Sequence, residues 1–168
     1  MVLCNIVCGL GRLVSRLLEL ARVDDDRGTP LPVDLAALAA DTAARPWPAP
    51  VEVACTGEAV VAGRAAALGS AFDNLVANAC QHADPETSVV LVVEPRADAV
   101  RVSVANRGPG LSSAARARVW DRFYSTRTAA GGSGLGLAIV RSVALAHGGG
   151  YGVQCADGVT SFWFEIRR

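Results

Sequence analysis

The first segment of the chain carries apolar residues at helical spacing. They recur every three or four residues, with arginines between them, at Ile6, Leu10, Leu13, Leu17 and Leu20. This stripe predicts one amphipathic helix over residues 5–23. It ends in an acidic turn at residues 24–30, which we interpret as a boundary between segments. We therefore predict that residues 1–27 form a unit separate from the rest of the chain.

The remaining pattern switches between helical and strand periods. A short helix over residues 33–44 lies in a predicted linker, residues 28–50, which ends in a proline-rich stretch. Alternation predicts strands over residues 51–55, 89–94, 100–106, 151–155 and 160–166. Helical spacing predicts helices over residues 63–82, 113–121 and 135–146. We expect residues 51–168 to form an α+β domain, a two-layer α/β sandwich whose helices cover one face of a mixed, mostly antiparallel sheet.

Composition narrows the class of protein. The chain has 168 residues, of which 51% are hydrophobic, and this is enough for one sizeable core. Its 16 basic residues balance 16 acidic ones, so we expect no nucleic-acid-binding surface. The apolar runs fall short of the ~20 residues of a membrane span, and no basic leader precedes them. The 5 scattered cysteines lack metal-ligand spacing, which indicates reduced thiols in a cytoplasmic protein.

A glycine-rich segment opens directly onto the last predicted helix. Gly132, Gly134 and Gly136 stand where that helix begins. A helix start offers unpaired N–H groups and a positive dipole end, which favour a phosphate group. The chain contains no lysine, which excludes the usual phosphate loop. The glycine spacing does not fit a dinucleotide-binding fold either.

The predicted helix over residues 63–82 has a polar row beside its packing face. The packing face comprises Leu68, Phe72, Leu75 and Ala79. Asn74, Asn78 and Gln81 form the polar row. Burying an unpaired amide costs about 1–3 kcal/mol, so these amides need partners. A cap, a backbone bond or water would satisfy a single asparagine, whereas the pair at this spacing favours a ligand site.

The strand over residues 100–106 carries a second candidate. Alternation places Asn106 on the face of Val100, Val102 and Val104, which points into the core layer. Glycines in the turn that follows, residues 107–110, allow a tight turn and a close approach to a ligand. The alternative is an ordinary surface turn that Asn106 begins.

Taken together, the segments resemble the ATP-binding domain of sensor histidine kinases, within the wider group of Hsp90, gyrase and MutL ATPases with a Bergerat-type fold. The resemblance covers residues 31–168. Residues 74–82 resemble the N box, residues 106–110 the first glycine box, and residues 120–124 the F box. Residues 132–137 resemble the second glycine box at the end of the ATP lid, and residues 157–162 the closing segment under the adenine.

Residues 12–22 add a narrower resemblance. They are similar to the end of the second helix of the dimerisation and phosphoacceptor hairpin, which distinguishes sensor kinases from anti-sigma-factor kinases. The alternative is a generic amphipathic helix. The resemblance makes residues 1–27 a partial dimerisation helix and residues 51–168 the kinase domain.

The resemblance implies roles for individual residues. Asn78 would ligate Mg²⁺, and Asn74 stands where the ATPases have a glutamate base, so it would position groups and not activate water. Asn106 would accept from the adenine amino group. Arg122 and Arg127 would reach the phosphates, and Phe123 would fix the base of the lid or pack in the core. The remaining expected ATP contacts are Gln81, His82, Gly108, Gly110, Leu111, Gly132, Gly134, Leu135, Gly136 and Thr160.

Three departures from the family pattern qualify this assignment. Asn106 replaces the usual aspartate, at a cost of ~1 kcal/mol. Gln81 replaces a lysine that often contacts phosphate. In the family, the phosphoacceptor histidine lies on the first helix of the hairpin. Neither His82 nor His147 is on a dimerisation helix. We expect His147 to cap carbonyls at a helix end. We therefore predict that the chain alone does not autophosphorylate.

Two main hypotheses follow. The first is the catalytic domain of a two-component sensor kinase, which binds ATP and Mg²⁺ and phosphorylates a histidine on another segment or chain. Its partners would be a response regulator and a second copy in a homodimer, and it would be the cytoplasmic portion of a membrane-bound sensor. The second is a non-catalytic nucleotide-binding or docking module. A serine kinase of the anti-sigma type is a third alternative.

Overall fold

The computed structural model describes residues 14–15, 17–18, 29–125 and 133–168. In the first segment Val14, Ser15, Leu17 and Leu18 are helical and exposed. The rest of the predicted amphipathic helix lies outside the described residues. No helix in the described ranges is both long and apolar enough to cross a membrane.

The described elements alternate along the chain. Their bounds are β1 (Leu31–Asp34), α1 (Leu35–Ala43), β2 (Val51–Cys55), β3 (Val60–Gly63), α2 (Ala65–His82), β4 (Val89–Pro95), β5 (Ala99–Arg107), α3 (Ser113–Arg118), α4 (Gly136–Ala146), β6 (Tyr151–Ala156) and β7 (Val159–Arg167). The main sheet has the order β2-β4-β5-β7-β6, in which only the β2-β4 pair is parallel. β1 and β3 form a separate antiparallel pair. The predicted two-layer sandwich with a mostly antiparallel sheet is confirmed.

The core lies between this sheet and α2 and α4. Alternate residues of β5 and β7 are buried, as the period of a half-buried strand requires. α2 and α4 pack against each other and against these strands. Phe72 of α2 meets Phe164 of β7 edge to face, with ring centroids 5.8 Å apart. α2, which carries the polar row, is therefore fixed to the sheet along its apolar side.

Several predicted bounds were wrong. The helix expected over residues 33–44 begins at Leu35, because the carboxylate of Asp34 accepts from the N–H groups of Ala36 and Ala37 and caps it. The helix expected over 63–82 begins at Ala65, after a strand that the sequence pattern did not indicate. The helix over 113–121 ends at Arg118, and the one over 135–146 begins at Gly136.

β1 and α1 lie within the predicted linker, residues 28–50, and pack on the same core as the main sheet. Leu35 and Ala39 of α1 are fully buried. Arg45 follows α1 and forms a two-pronged ion pair with Asp73 of α2, with Nη1 2.7 Å from Oδ2. Its Nη2 also lies 3.2 Å from the hydroxyl of Thr42. This side of the domain is thereby tied to α2.

His147 joins the end of α4 to the beginning of α2. Its Nε2 accepts from the N–H of Arg64, the residue before α2, at 3.2 Å. A neutral ring then has its hydrogen on Nδ1, which donates to the carbonyl of Val143 at 2.8 Å. The prediction that His147 caps carbonyls at a helix end is confirmed, and the same ring also serves the start of α2.

Candidate functional site

A cleft lies between α2, the turn after β5, and the beginning of α4. Its volume is about 220 Å³. Thr160 and Phe162 of β7 line it, as do the residues just before and after the segment 126–132. The cleft therefore lies at one end of the sandwich, where the polar row of α2 meets the loop end of β5.

Asn106 presents an unsatisfied acceptor in this cleft. Its side chain is 3% exposed, on the inner face of β5, as the alternation predicted. Its Nδ2 donates to the carbonyl of Arg107 at 3.1 Å, and its Oδ1 is buried without a hydrogen-bond partner. Because the nitrogen is held by a carbonyl, the oxygen is the amide atom that a ligand would meet. A buried acceptor without a partner costs about 1–3 kcal/mol, which a donor on a ligand would recover.

Thr160 and Cys155 continue the row that Asn106 begins. Asn106 pairs with Thr160 across β5 and β7, and Thr160 pairs with Cys155 across β7 and β6. The Thr160 side chain is buried and lines the cleft, with its hydroxyl 3.7 Å from the Cys155 sulfur. Polar side chains on adjacent strands therefore stand at the same end of the sheet.

The polar row of α2 forms the opposite wall. Asn74 is 4% exposed, and its Nδ2 donates to the carbonyl of Ser70 at 2.8 Å. Asn78, one turn later, is half-buried, and Gln81 is exposed at the end of the helix. All of them line the cleft. The spacing of these residues on one helix face thus brings them to one site, as the sequence predicted.

A backbone hydrogen bond links the two described stretches that flank the segment 126–132. The N–H of Phe123 donates to the carbonyl of Gly134 at 2.9 Å. Gly134 has φ +64°, and a Cβ there would lie 2.5 Å from the carbonyl carbon of Phe123. Only glycine fits this close approach. We call this pair of residues, Phe123 and Gly134, the stem.

The described lining of the cleft is almost neutral. It contains no aspartate, glutamate or arginine. His82, at the end of α2, contributes an imidazole to this lining. Negative charge on a ligand would therefore meet backbone N–H groups at the beginning of α4, where Gly136 lines the cleft.

The sequence of residues 63–168 matches the family of histidine kinase-, DNA gyrase B- and HSP90-like ATPases. The chain belongs to this ATPase family. The resemblance inferred from the motifs is confirmed, and we refer to the cleft below as the ATPase-family cleft.

Relatives and structural neighbours of this ATPase-family chain are sensor kinases. Sensor protein IrlS of Burkholderia pseudomallei is 35% identical in an alignment 168 positions long. The alignment covers 94% of this chain and 36% of IrlS. The mycobacterial sensor histidine kinase MprB superposes with a TM-score of 0.71 at 27% identity, over 82% of this chain and 97% of that structure. Full-length ShkA, solved in complex with AMPPNP, gives 0.76 at 30% identity over 94% of this chain and 35% of ShkA.

These comparisons place the chain among the ATP-binding catalytic domains of sensor histidine kinases, in sequence and in fold. The chain spans about a third of the length of IrlS. The family and the AMPPNP-bound neighbour support ATP as the ligand of the ATPase-family cleft.

Many of the residues predicted from the sequence line this cleft. They are Asn74, Asn78, Gln81, His82, Asn106, Gly110, Leu111, Gly134, Gly136 and Thr160. Gly108 lies next to the side chain of Asn106, since a Cβ at this position would be 3.2 Å from Nδ2 of Asn106. Leu135 is fully buried behind the cleft. Arg127 and Gly132 lie outside the described residues. Contact of any of these residues with ATP stays a prediction.

For Arg122 and Phe123, contact with ATP also stays a prediction. Both are exposed and are not among the described residues that line the cleft. Phe123 is 59% exposed, so it is not a core residue, and its contribution to the stem is its backbone N–H. Its φ of 64° is unusual for a bulky residue, and the bond to Gly134 holds it.

Other residues on the cleft were not singled out as ligand contacts. They are Ala77, Pro109, Val119, Tyr124, Ser125, Ser133, Leu137 and Phe162. Ala77 follows Asn74 by one turn, and Phe162 follows Thr160 by two residues on the same strand, so periodicity could have found both. No sequence pattern pointed to Val119, which follows α3 directly and reaches the cleft only because α3 packs there.

The donor set is suited to a metal ion carried by a nucleotide. Within the described ranges no group of 3 or more His, Cys, Asp or Glu residues is placed to hold a metal ion. Mg²⁺ prefers oxygen ligands and retains waters, so phosphate oxygens, waters and one amide oxygen would satisfy it here. The half-buried amide of Asn78 fits this requirement.

Proposed function

We propose that the chain binds ATP with Mg²⁺ in this cleft and transfers the γ-phosphoryl group to a histidine that is not its own. The observation that carries the proposal is the buried, unpartnered Oδ1 of Asn106 in the cleft. Adenine offers a 6-amino donor to such an acceptor. The membership of the ATPase family and the AMPPNP complex of ShkA support the same ligand.

The residues around the cleft have distinct proposed roles. Asn106 accepts from the adenine amino group, and Thr160 lines the cleft beside Asn106, next to the base. The beginning of α4 binds phosphate oxygens through its N–H groups. Asn78 would hold Mg²⁺, which when bound neutralises the charge of the phosphates. Asn74 positions groups in the cleft, and because an amide takes up no proton, it does not activate water for hydrolysis.

The phosphoryl acceptor belongs to another segment or chain. Both ring nitrogens of His147 are hydrogen-bonded, one to Arg64 and the other to Val143. Neither nitrogen is therefore available as a nucleophile. His82 ends the helix that forms the wall of the cleft. We propose that residues 1–27 belong to a dimerisation helix and that residues 28–50 connect it to the kinase domain, residues 51–168. β1 and α1 of this connection pack on the core of that domain. A histidine-bearing helix of a homodimer and a response regulator are the proposed partners, in the cytoplasm.

Calorimetric titration with a non-hydrolysable ATP analogue and Mg²⁺ tests the nucleotide site. We expect saturable binding to the wild type that weakens when Mg²⁺ is removed. Asn78→Ala removes a proposed metal ligand and should weaken the Mg²⁺-dependent binding about tenfold. Gln154→Ala is the matched control, because it also removes an amide but on the exposed face of β6.

Two results would contradict the proposal. Absence of binding at millimolar analogue would favour the docking-module hypothesis. Equal affinity for the nucleotide in wild type and Asn78→Ala, with and without Mg²⁺, would remove Asn78 from the metal site.

A further inference from the structure

The peptide unit between Arg107 and Gly108, at the end of β5, is fixed on both of its sides. The pairing of β4 with β5 ends at Ala105, so the carbonyl of Arg107 lies beyond it. The N–H of Asp84, in the loop after α2, donates to this carbonyl at 2.8 Å. On the other side of the same peptide unit, the N–H of Gly108 donates to the carbonyl of Gly158 at 3.0 Å. Since a peptide unit is planar, its carbonyl cannot rotate without breaking both bonds.

This carbonyl determines which way the amide of Asn106 is turned. The Asn106 Nδ2 donates to the Arg107 carbonyl at 3.1 Å, while its Oδ1 is buried without a hydrogen-bond partner. An amide turned by 180° would place Oδ1 against the carbonyl oxygen, and two acceptors repel each other. The side chain is 3% exposed, so water cannot relieve such a contact. The amide therefore presents an acceptor, and not a donor, to a ligand in the cleft.

An asparagine whose amide is free to turn does not discriminate between purine bases. Its side chain carries a donor and an acceptor of similar size, so it can serve either kind of partner. Adenine has an amino donor at position 6, whereas hypoxanthine has a carbonyl acceptor there. An amide that cannot turn accepts from adenine and opposes an acceptor to hypoxanthine. The fixed peptide unit thus makes an ambiguous side chain selective.

We propose that Asp84 is a positioning residue that makes the cleft selective for a 6-amino purine. Its N–H fixes the carbonyl of Arg107, and that carbonyl holds the amide of Asn106 with the acceptor toward the base. The inference rests on the proposed function, because it concerns the base of the proposed nucleotide. Asp84 belongs to none of the motifs that indicated the nucleotide site, and its side chain does not line the cleft.

The test removes the backbone donor and leaves the side chains of the cleft unchanged. Asp84→Pro lacks the N–H group. The preceding residue, Ala83, has φ −66° and ψ 141°, the conformation that a residue before proline adopts, so the backbone there is compatible with the substitution. Asp84→Ala is the matched control, because it removes the carboxylate and keeps the N–H. Titration calorimetry measures the affinity of each protein for the β,γ-imido analogues of ATP and of inosine triphosphate, both with Mg²⁺.

We expect the wild type and Asp84→Ala to bind the ATP analogue about 30- to 100-fold more tightly than the inosine analogue. The 6-oxo base loses a hydrogen bond and meets a buried acceptor. In Asp84→Pro this ratio should fall about tenfold, because the released carbonyl lets the amide turn. An unchanged ratio in Asp84→Pro would overturn the inference, including an equal loss for both analogues, which a purely structural role produces. Equal affinity of the wild type for the two analogues would also overturn it.

A second measurement uses the wild type alone, so it does not depend on the folding of a variant. In nuclear magnetic resonance spectra, couplings across hydrogen bonds should connect the carbonyl carbon of Arg107 with the backbone nitrogen of Asp84 and with Nδ2 of Asn106. Both couplings should persist in the presence of saturating inosine analogue. Loss of the Asn106 coupling in that complex would mean that the amide turns, and would overturn the inference. Failure of the wild type to bind the ATP analogue would instead overturn the proposed function.

Discussion

At the scale of single residues, the cleft uses amides where carboxylates are the more common choice. The nitrogen of Asn106 is held by the Arg107 carbonyl and that of Asn74 by Ser70. The amide of Asn106 thus offers the acceptor that a carboxylate would offer, without its negative charge. Since the described lining contains no acidic residue, the cleft does not repel a triphosphate.

Asn106→Ala should weaken binding of ATP analogues about fivefold to tenfold, because it removes one hydrogen bond to the base. The loss should be specific to the 6-amino group. A matching ATP analogue whose base is unsubstituted purine lacks this group. It should bind the wild type and Asn106→Ala with similar affinity. Titration calorimetry with both nucleotides checks this. A loss of the same size for the two nucleotides would mean that Asn106 does not contact the amino group.

Cys80 provides a prediction about thiol reactivity. Burial raises the pKa of its thiol above the ordinary value of 9.0, against backbone hydrogen bonds at Ala49 and Cys80 that lower it. At a given pH less of the reactive thiolate is therefore present. Alkylation of Cys80, followed by mass spectrometry, should reach half of its maximal rate only above pH 9.0, and at neutral pH should be slower than that of the exposed Cys55. Half-maximal labelling below that pH would contradict the prediction.

At the scale of elements, the ring of His147 fixes where two helices meet. It accepts from the N–H of Arg64, just before α2, and donates to the carbonyl of Val143 in the last turn of α4. α2 carries the polar row and α4 begins at the cleft, so the ring sets the relative position of both walls.

His147→Ala should reduce the free energy of unfolding by about 1–3 kcal/mol, the contribution of two hydrogen bonds. Urea denaturation gives this value directly. Leu145→Ala, an exposed position on the same helix, is the control and should stay within about 0.5 kcal/mol of the wild type. Equal stability of His147→Ala and the control would show that water replaces the ring without cost.

Local patterns predicted the elements that are long or strongly periodic, and not the short ones that depend on distant partners. The alternation of residues 100–106 and the helical spacing of residues 63–82 identified β5 and α2 to within two residues of their ends. β1 and β3 consist of four residues each and form only by pairing with each other, although α1 and β2 separate them in the sequence. The cleft followed the same rule, since Asn74, Asn78 and Asn106 came from periodicity, whereas Val119 reaches it only through tertiary packing.

At the scale of the whole molecule, nucleotide and acceptor are proposed to reside on separate units. The cleft lies at one end of the sandwich, and His147 is engaged within the fold. A phosphoryl group bound in the cleft therefore needs an acceptor that approaches from outside.

The purified chain incubated with radiolabelled ATP and Mg²⁺ should acquire no acid-labile phosphohistidine. Acid lability distinguishes this species from phosphoserine. Addition of a histidine-bearing dimerisation domain from a related sensor kinase should produce labelling of that domain only. A stable, acid-labile label on the purified chain alone would contradict the prediction and would direct attention to His82.

The stem has a consequence for how the sequence of this domain is free to vary. A backbone hydrogen bond joins Phe123 to Gly134 and fixes the distance between these two positions. Doubling the length of an anchored loop costs only about 0.6 kcal/mol in closure entropy. Natural insertions and grafted peptides should therefore be accepted between these two positions at little expense to folding, whereas replacement of Gly134 should not.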